Sequence, residues 1–271
     1  MTRRIIPFAA LALASCAEST RITEPVVTGT HPGFDTSIYP GDAAMRAWLK
    51  PNSPYEWSGY YLAAPCHKDI SWSGKRSTLQ AMGWGLAVIF VGQQTFDGVP
   101  IVSNARATIV EDIGAQVTCS RTLLTKEQGT IDADDAIAKT FLEGFPAGTV
   151  IYLDIEHMDA IPSGMEDYYR AWVQRVIVDG RYRPGIYCHR FNASAIYAGA
   201  NTAATGVGST RKIPFWIAST IGFSIDKRAT DVGFTFASMW QGILDTTQTW
   251  NGVTLALDVD IADTRSPSAP R

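Results

Sequence analysis

At 271 residues, 46% hydrophobic and 18% charged, the chain is long enough to bury a full core as one large domain or two small ones. Its net charge of −3 supplies no basic field, which argues against a nucleic-acid partner.

The first segment, MTRRIIPFAALALASC, sets Arg3 and Arg4 before an apolar run from Ile5 to Leu13 and small residues before Cys16. That is the layout of a secretory signal peptide, and the run is too short to cross a bilayer as a permanent helix. Leu13-Ala14-Ser15-Cys16 resembles a bacterial lipobox, in which the cysteine carries the lipid. Residues 1–16 are therefore expected to be a lipoprotein signal peptide with Cys16 as the lipidation point. The protein is expected to be exported and lipid-anchored in the cell envelope, periplasmic or at the cell surface. No other stretch approaches ~18 apolar residues, so the membrane is reached through lipid and not through a span. Residues 17–31, polar and without periodicity, read as a flexible tether.

A repeating pattern then begins, a short apolar strand, a loop and a helical segment. Strand candidates are GFDTS (33–37), WSGYYLA (57–63), GLAVIFVGQ (85–93), TVIYLDIE (149–156), RPGIYCH (183–189), IPFWIAS (213–219), FASMWQ (236–241) and LALDVDIA (255–262). Helix-like stretches fall between them at 42–49, 75–83, 132–145 and 165–180; the last carries Tyr169, Trp172, Val173 and Val176 on one face. Continuous apolar strands alternating with helices imply an α/β protein with a parallel sheet covered by helices. Eight strands in residues 32–264 point to a (β/α)8 TIM-type barrel. It is irregular, because 245–254 reads as a hairpin or loop and helices are short or missing around the last strands. The RSPSAPR tail, 265–271, is expected to be disordered.

With Cys16 assigned to lipid, Cys66, Cys119 and Cys188 remain. Cys66 and Cys119 lie in the less regular segments and are expected to form the one disulfide, with Cys188 a small buried hydrophobe in its strand.

Barrel active sites lie at the C-terminal ends of the strands. There the first strand ends in Asp35, the fourth in Asp154 and Glu156, and the eighth carries Asp258 and Asp260. Strand positions i and i+2 share a face, so Asp154 and Glu156 project together, as do Asp258 and Asp260. Neighbouring carboxyls push each other's pKa apart, leaving one protonated while another is ionised, which is what glycosidic cleavage requires.

Gly33-Phe34-Asp35-Thr36-Ser37, Asp154-Ile155-Glu156 and Leu257-Asp258-Val259-Asp260 are similar to the pattern of glycoside hydrolase family 25 lysozymes. With Gly59-Tyr60-Tyr61 and Pro184 to Tyr187 added, the chain over residues 32–263 more closely resembles the glycoside-hydrolase-like domain-of-unknown-function family 1906. The resemblance implies cleavage of the β-1,4 bond between N-acetylmuramic acid and N-acetylglucosamine in peptidoglycan, or action on another envelope polysaccharide. Carried across, Glu156 is the general acid and Asp154 stabilises charge or orients the N-acetyl group. Asp35 and Asp258 complete the catalytic cluster. Asp260 stands where the lysozymes more often have asparagine, and is grouped with substrate-binding residues. The stereochemical outcome stays open, as does the alternative of a non-catalytic glycan-binding protein that keeps the acidic cleft.

Tyr61, Trp216 and Trp240, late in their strands, are candidates to line a sugar cleft, together with His189. His67, His157 and His189 leave a metal hydrolase as a rival, but no short ligand motif such as HExxH occurs, so neither a metal nor another cofactor is expected.

Overall fold

The computed structural model describes residues 29–103, 106–110 and 119–270. The signal peptide, Cys16 and most of the tether thus lie outside the described residues.

Eight strands close into a barrel. In chain order they are β1 (His31–Asp35), β2 (Trp57–Tyr61), β3 (Gly85–Val91), β6 (Val150–Ile155), β7 (Arg183–His189), β8 (Phe215–Ala218), β9 (Ala237–Trp250) and β10 (Val253–Ala262). Two further strands, β4 (Val99–Ser103) and β5 (Arg106–Val110), form a separate antiparallel pair between β3 and β6, which the sequence reading does not contain. The connecting helices are α1 (Asp42–Ala47), α2 (Arg76–Met82), α3 (Lys126–Leu142), α4 (Ser163–Asp179) and α5 (Ala193–Gly206). No helix among the described residues is long and apolar enough to cross a membrane.

Strand alternation sorts the core into two bodies. Trp57, Ala87, Ile89, Val150, Tyr152, Trp216, Met239 and Ala262 fill the barrel interior. Their neighbours in sequence, such as Phe34, Tyr60, Val88, Phe90, Ile151, Leu153 and Trp240, point outward under the helices, where Tyr168, Trp172 and Val176 of α4 meet them. The interior is tight at its base. A Cβ on Gly33 would lie 2.1 Å from the Trp57 ring, so only glycine lets that indole, whose Nε1 donates to the His31 carbonyl at 2.9 Å, lie across β1.

The expectation of eight parallel strands needs one correction. β10 runs antiparallel to both β9 and β1. The β9–β10 hairpin turns at Asn251-Gly252, both left-handed at φ 49 and 77, as a two-residue type I′ turn requires. Register shifts on either side of Val259 bend it. Its arm folds onto the α1–β2 connection, where Trp48 Nε1 donates to the Val253 carbonyl at 3.0 Å and Tyr55 Oη donates to Gln248 at 2.7 Å. The hairpin covers surface that a final helix covers in a regular barrel.

The expectation of a disordered tail is also overturned. β3 and β6 pair only from Val88 and Ile151 onward, and their splayed N-terminal ends leave strand donors unpaired. Residues 265–270 fill that gap. Ser268 Oγ accepts from the Val88 amide at 2.7 Å, and the Ser268 carbonyl accepts from the Val150 amide at 2.9 Å. The Ser268 amide donates to the Leu86 carbonyl at 3.0 Å. Polar composition suggested a solvated tail, but the same hydroxyls satisfy buried backbone that a longer strand would otherwise pair.

Cys66 and Cys119 form a disulfide across a sequence separation of 53, and Cys188 is buried as a free thiol.

Candidate active site

At the C-terminal end of the barrel a cleft of ≈ 330 Å³, partly open to solvent, is lined by Asp35, Tyr61, Ile89, Asp154, Glu156, Tyr187, Trp216, Gln241 and Asp258. Each barrel strand presents its inward position at one level. Asp35 closes β1, Tyr61 β2, and Asp154 the inward face of β6, with Glu156 two residues on. The reversed β10 brings Asp258 opposite Asp35 from its middle, not from its C-terminal end. Gly59 leaves the room: a Cβ there would stand 2.7 Å from the Asp35 Cβ.

One hydrogen-bond chain organises one side of the cleft. Tyr61 Oη donates to Asp35 Oδ1 at 2.5 Å, and Gln241 Nε2 donates to Asp35 Oδ2 at 2.8 Å and Asp258 Oδ2 at 3.1 Å. Tyr187 Oη donates to Gln241 Oε1 at 2.7 Å, so the glutamine amide has one orientation that satisfies all its partners. Burial first, then nearby carboxylates, hold the Tyr61 and Tyr187 phenols well above their usual pKa, so both stay donors. Asp258 also accepts from the Asp245 amide at 2.6 Å.

The opposite side is bare. No described donor reaches the Asp154 side chain, which is 8% exposed, and its Oδ1 is closed off from solvent. Gln94 instead grips the backbone, donating to the Asp154 carbonyl at 2.9 Å and accepting from the Glu156 amide at 3.1 Å, which fixes where the two acids leave the strand. Glu156 stands at the mouth, exposed to water.

The electrostatics follow from this crowding. Burial, then the Glu156 and Asp35 charges, raise Asp154 well above the carboxylate range. Asp258 is pushed up to about 8, chiefly by burial and then by Asp35. Packing around the Glu156 carboxyl, then Asp35, raises Glu156, while His157 pulls it down. Because water still reaches Glu156, screening keeps its rise the shallower one. Burial raises Asp35 too, against the hydrogen bonds from Tyr61, Asp260 and Gln241. In a site of this kind several carboxyls hold protons at neutral pH while others are ionised.

Three sequence candidates lie elsewhere. Asp260 is fully buried one layer below the cleft, paired across from Gly33, with Trp216 Nε1 donating to its Oδ1 at 3.0 Å. Reversal of β10 puts it under Asp258 and not beyond it. Trp240 points outward, its Nε1 donating to the Ser219 carbonyl at 2.6 Å and its ring meeting Phe223 edge-on at 5.1 Å. His189 does not line the cleft; its ring meets His157 edge-on at 4.7 Å. His67 is buried against the Tyr61 ring at 4.9 Å, and burial lowers its pKa to about 4. Among the described residues no three His, Cys, Asp or Glu side chains are grouped as a metal site would need. Conversely, Tyr187 and Gln241 complete the cleft without having been singled out. Their parity with Gly185 and Met239 on inward faces is the signal that locates them.

No curated protein matches the chain. Solved structures match its fold. An uncharacterized B. stearothermophilus protein has a TM-score of 0.57 at 16% identity, with 87% of this chain and 97% of that one covered. The Clostridium perfringens spore cortex lytic enzyme SleM gives 0.52 at 13%, over 90% and 69%. The Streptococcus pneumoniae modular autolysin LytC, in complex with a synthetic peptidoglycan ligand, gives 0.54 at 10%, over 86% of this chain and 46% of that one. At these identities the likeness is one of fold. Residues 46–262 match the family described as Rv2525c-like, glycoside hydrolase-like domain. On that match, which takes in every barrel strand but β1 and every acid of the cleft but Asp35, the chain belongs to the family of Rv2525c-like, glycoside hydrolase-like domains.

Proposed function

We propose that this domain hydrolyses peptidoglycan or a related envelope glycan by carboxylate acid–base chemistry, from a lipid anchor at Cys16 with residues 17–31 as tether. The observation that carries the reading is the convergence of Asp35, Asp154, Glu156 and Asp258 on one cleft. The barrel it shares with a spore cortex lytic enzyme and with an autolysin solved with a peptidoglycan ligand supports an envelope glycan as substrate.

Glu156 is the general acid. It is the acid nearest solvent, its pKa is raised, and it can give its proton to the glycosidic oxygen as the bond to the anomeric carbon breaks. Asp154, deeper and without a described donor, faces the positive charge that develops on the sugar ring. Asp35 and Asp258, held by Gln241, shape the electrostatic field around them.

Glu156→Gln keeps the shape of the side chain and removes the proton. It is expected to abolish release of reducing ends from purified peptidoglycan, by 10²-fold or more on the scale of general acid catalysis, with thermal stability unchanged or raised. Wild-type protein that binds saccharide and returns it intact would identify a glycan-binding protein instead.

A further inference from the structure

The described residues that line the cleft include four carboxylic acids and not one lysine or arginine. Asp154, on one wall, accepts no hydrogen bond from any described residue and is almost wholly buried. A buried carboxyl in that state must either keep its proton or meet a cation. The same cleft is lined by Trp216, almost wholly buried, whose orientation is locked by the bond to Asp260 and by edge-on contacts with Trp57 at 5.6 Å and Tyr187 at 5.4 Å. The cleft therefore sets an acid with no described hydrogen-bond donor beside a rigidly held aromatic ring.

We propose that this cleft takes a hexosamine with a free, protonated amino group, whose ammonium donates to Asp154. The proposal rests on the glycan reading given above and narrows it, from glycans at large to those carrying de-N-acetylated sugars. An N-acetyl group has one N–H and no charge, and a uronic acid brings a charge of the wrong sign. An ammonium has three donors and a full positive charge, which is what a carboxyl without a donor lacks.

The binding is linked to pH through the groups around Asp154. These are Glu156 on its own strand, Asp35 on β1, Asp258 and the deeper Asp260 on β10. The Tyr61 and Tyr187 phenols stay protonated, as does the Cys188 thiol behind the strand, and His157 lowers Glu156. A cation entering such a cluster stabilises carboxylate over carboxylic acid, so each ligand bound expels a proton that the empty cleft had retained.

The test is calorimetric titration of the full chain with glucosamine disaccharide (chitobiose) and, separately, with its N,N′-diacetyl form. The amino sugar is expected to bind about 10-fold or more tightly at near-neutral pH, the yield of one charge-assisted hydrogen bond. Its affinity should rise with pH, by up to about tenfold per pH unit for one proton released, as long as the amine stays protonated, with the release seen as a buffer-dependent heat. Asp154→Asn is expected to abolish both the preference and the pH slope. A simple alkylammonium such as butylamine, which lacks the ring, should bind far more weakly than the sugar. If it binds as well as the sugar, the cleft is a general cation site and the proposal fails. Equal or tighter binding of the acetylated sugar, or an affinity flat with pH, overturns it on the wild-type protein alone. Cleavage of acetylated peptidoglycan with no preference for the amine would sink this inference and leave the hydrolase reading standing. Tight amine binding without cleavage would do the reverse.

Discussion

Ser268 offers a sharp test of how the barrel is closed at its base. Its Oγ accepts from the Val88 amide at 2.7 Å, and Val88 has no exposed surface. Ser268→Ala removes that acceptor and leaves a buried N–H without a partner, at a cost of about 1–3 kcal/mol. At roughly 2–4 °C per kcal/mol for a domain of this size, Tm should fall by about 2–12 °C. Ser266 is the internal comparison, since its Oγ takes the Leu86 amide at a long 3.4 Å, and Ser266→Ala should cost less than about 1 kcal/mol. Thermal denaturation followed by circular dichroism gives the order of the two variants. Hydrogen exchange adds a local reading, for the Val88 amide should exchange faster in Ser268→Ala while amides on β8 do not. A Tm within about 1 °C of wild type, or equal effects from both serines, would refute the claim that this segment completes the sheet.

Two further outcomes follow from the site and the cross-link. Asp258 has a folded-state pKa of about 8 against 3.8 for the free group. The folded state thus holds its proton more tightly, so the stability it lends is full below the unfolded value and is lost as pH rises through about 8. The stability of the wild type should decline from about pH 4 toward pH 8, and Asp258→Asn should flatten that decline by up to ~1.4 kcal/mol per pH unit, measured by urea denaturation across pH. An unchanged slope would mean the cluster is better solvated than its geometry indicates. Opening the Cys66–Cys119 bridge, which spans 53 residues, should cost about 4 kcal/mol by the loop-entropy argument, visible as a lower Tm in reductant or in Cys66→Ser. A Tm indifferent to reductant would count against it.

Strands such as β3 were legible because GLAVIFV is an unbroken apolar run, and a run buried on both faces has few other uses. Asp154 and Glu156 were legible as a pair because i, i+2 spacing fixes a shared face whatever else the chain does. The direction of β10 was not. An alternating pattern reads the same from either end, so LALDVDIA says which residues face inward and not which end is uppermost. That one ambiguity decides the fate of Asp260, which a parallel strand would have placed beyond Asp258 and the antiparallel strand buries beneath it. Trp240 fails on parity: Met239 and Gln241 take the inward face, so the tryptophan between them cannot. The tail was misread for another reason, since its serines serve donors on strands more than a hundred residues away, a need that local composition cannot display.

Asp260 also shows where this chain departs from the logic of a stable core. Much of the barrel interior below the cleft is apolar or aromatic, as Trp57, Ala87, Tyr152 and Met239 are. A carboxyl there is tolerable only as the neutral acid, and burial with the Asp35 and Asp258 charges keeps it protonated. Trp216 engages Oδ1, while Oδ2 takes no hydrogen bond from a described donor. The proton on Asp260 is thus directed toward Asp35, the contact that raises Asp260 and lowers Asp35. The hydrogen bond from Asp260 favours the charged form of Asp35 against its burial, and negative charge on Asp35 in turn raises Asp154, Glu156 and Asp258. The acids of the cleft therefore form a coupled set, with Asp260 neutral at the base, Asp35 drawn down by its hydrogen bonds against its burial, and raised carboxyls toward the mouth. A fold selected for stability alone would replace that set with methyl groups. Its presence at the closed end of the cleft fits the proposed roles, a proton moved at Glu156 and a cation met at Asp154.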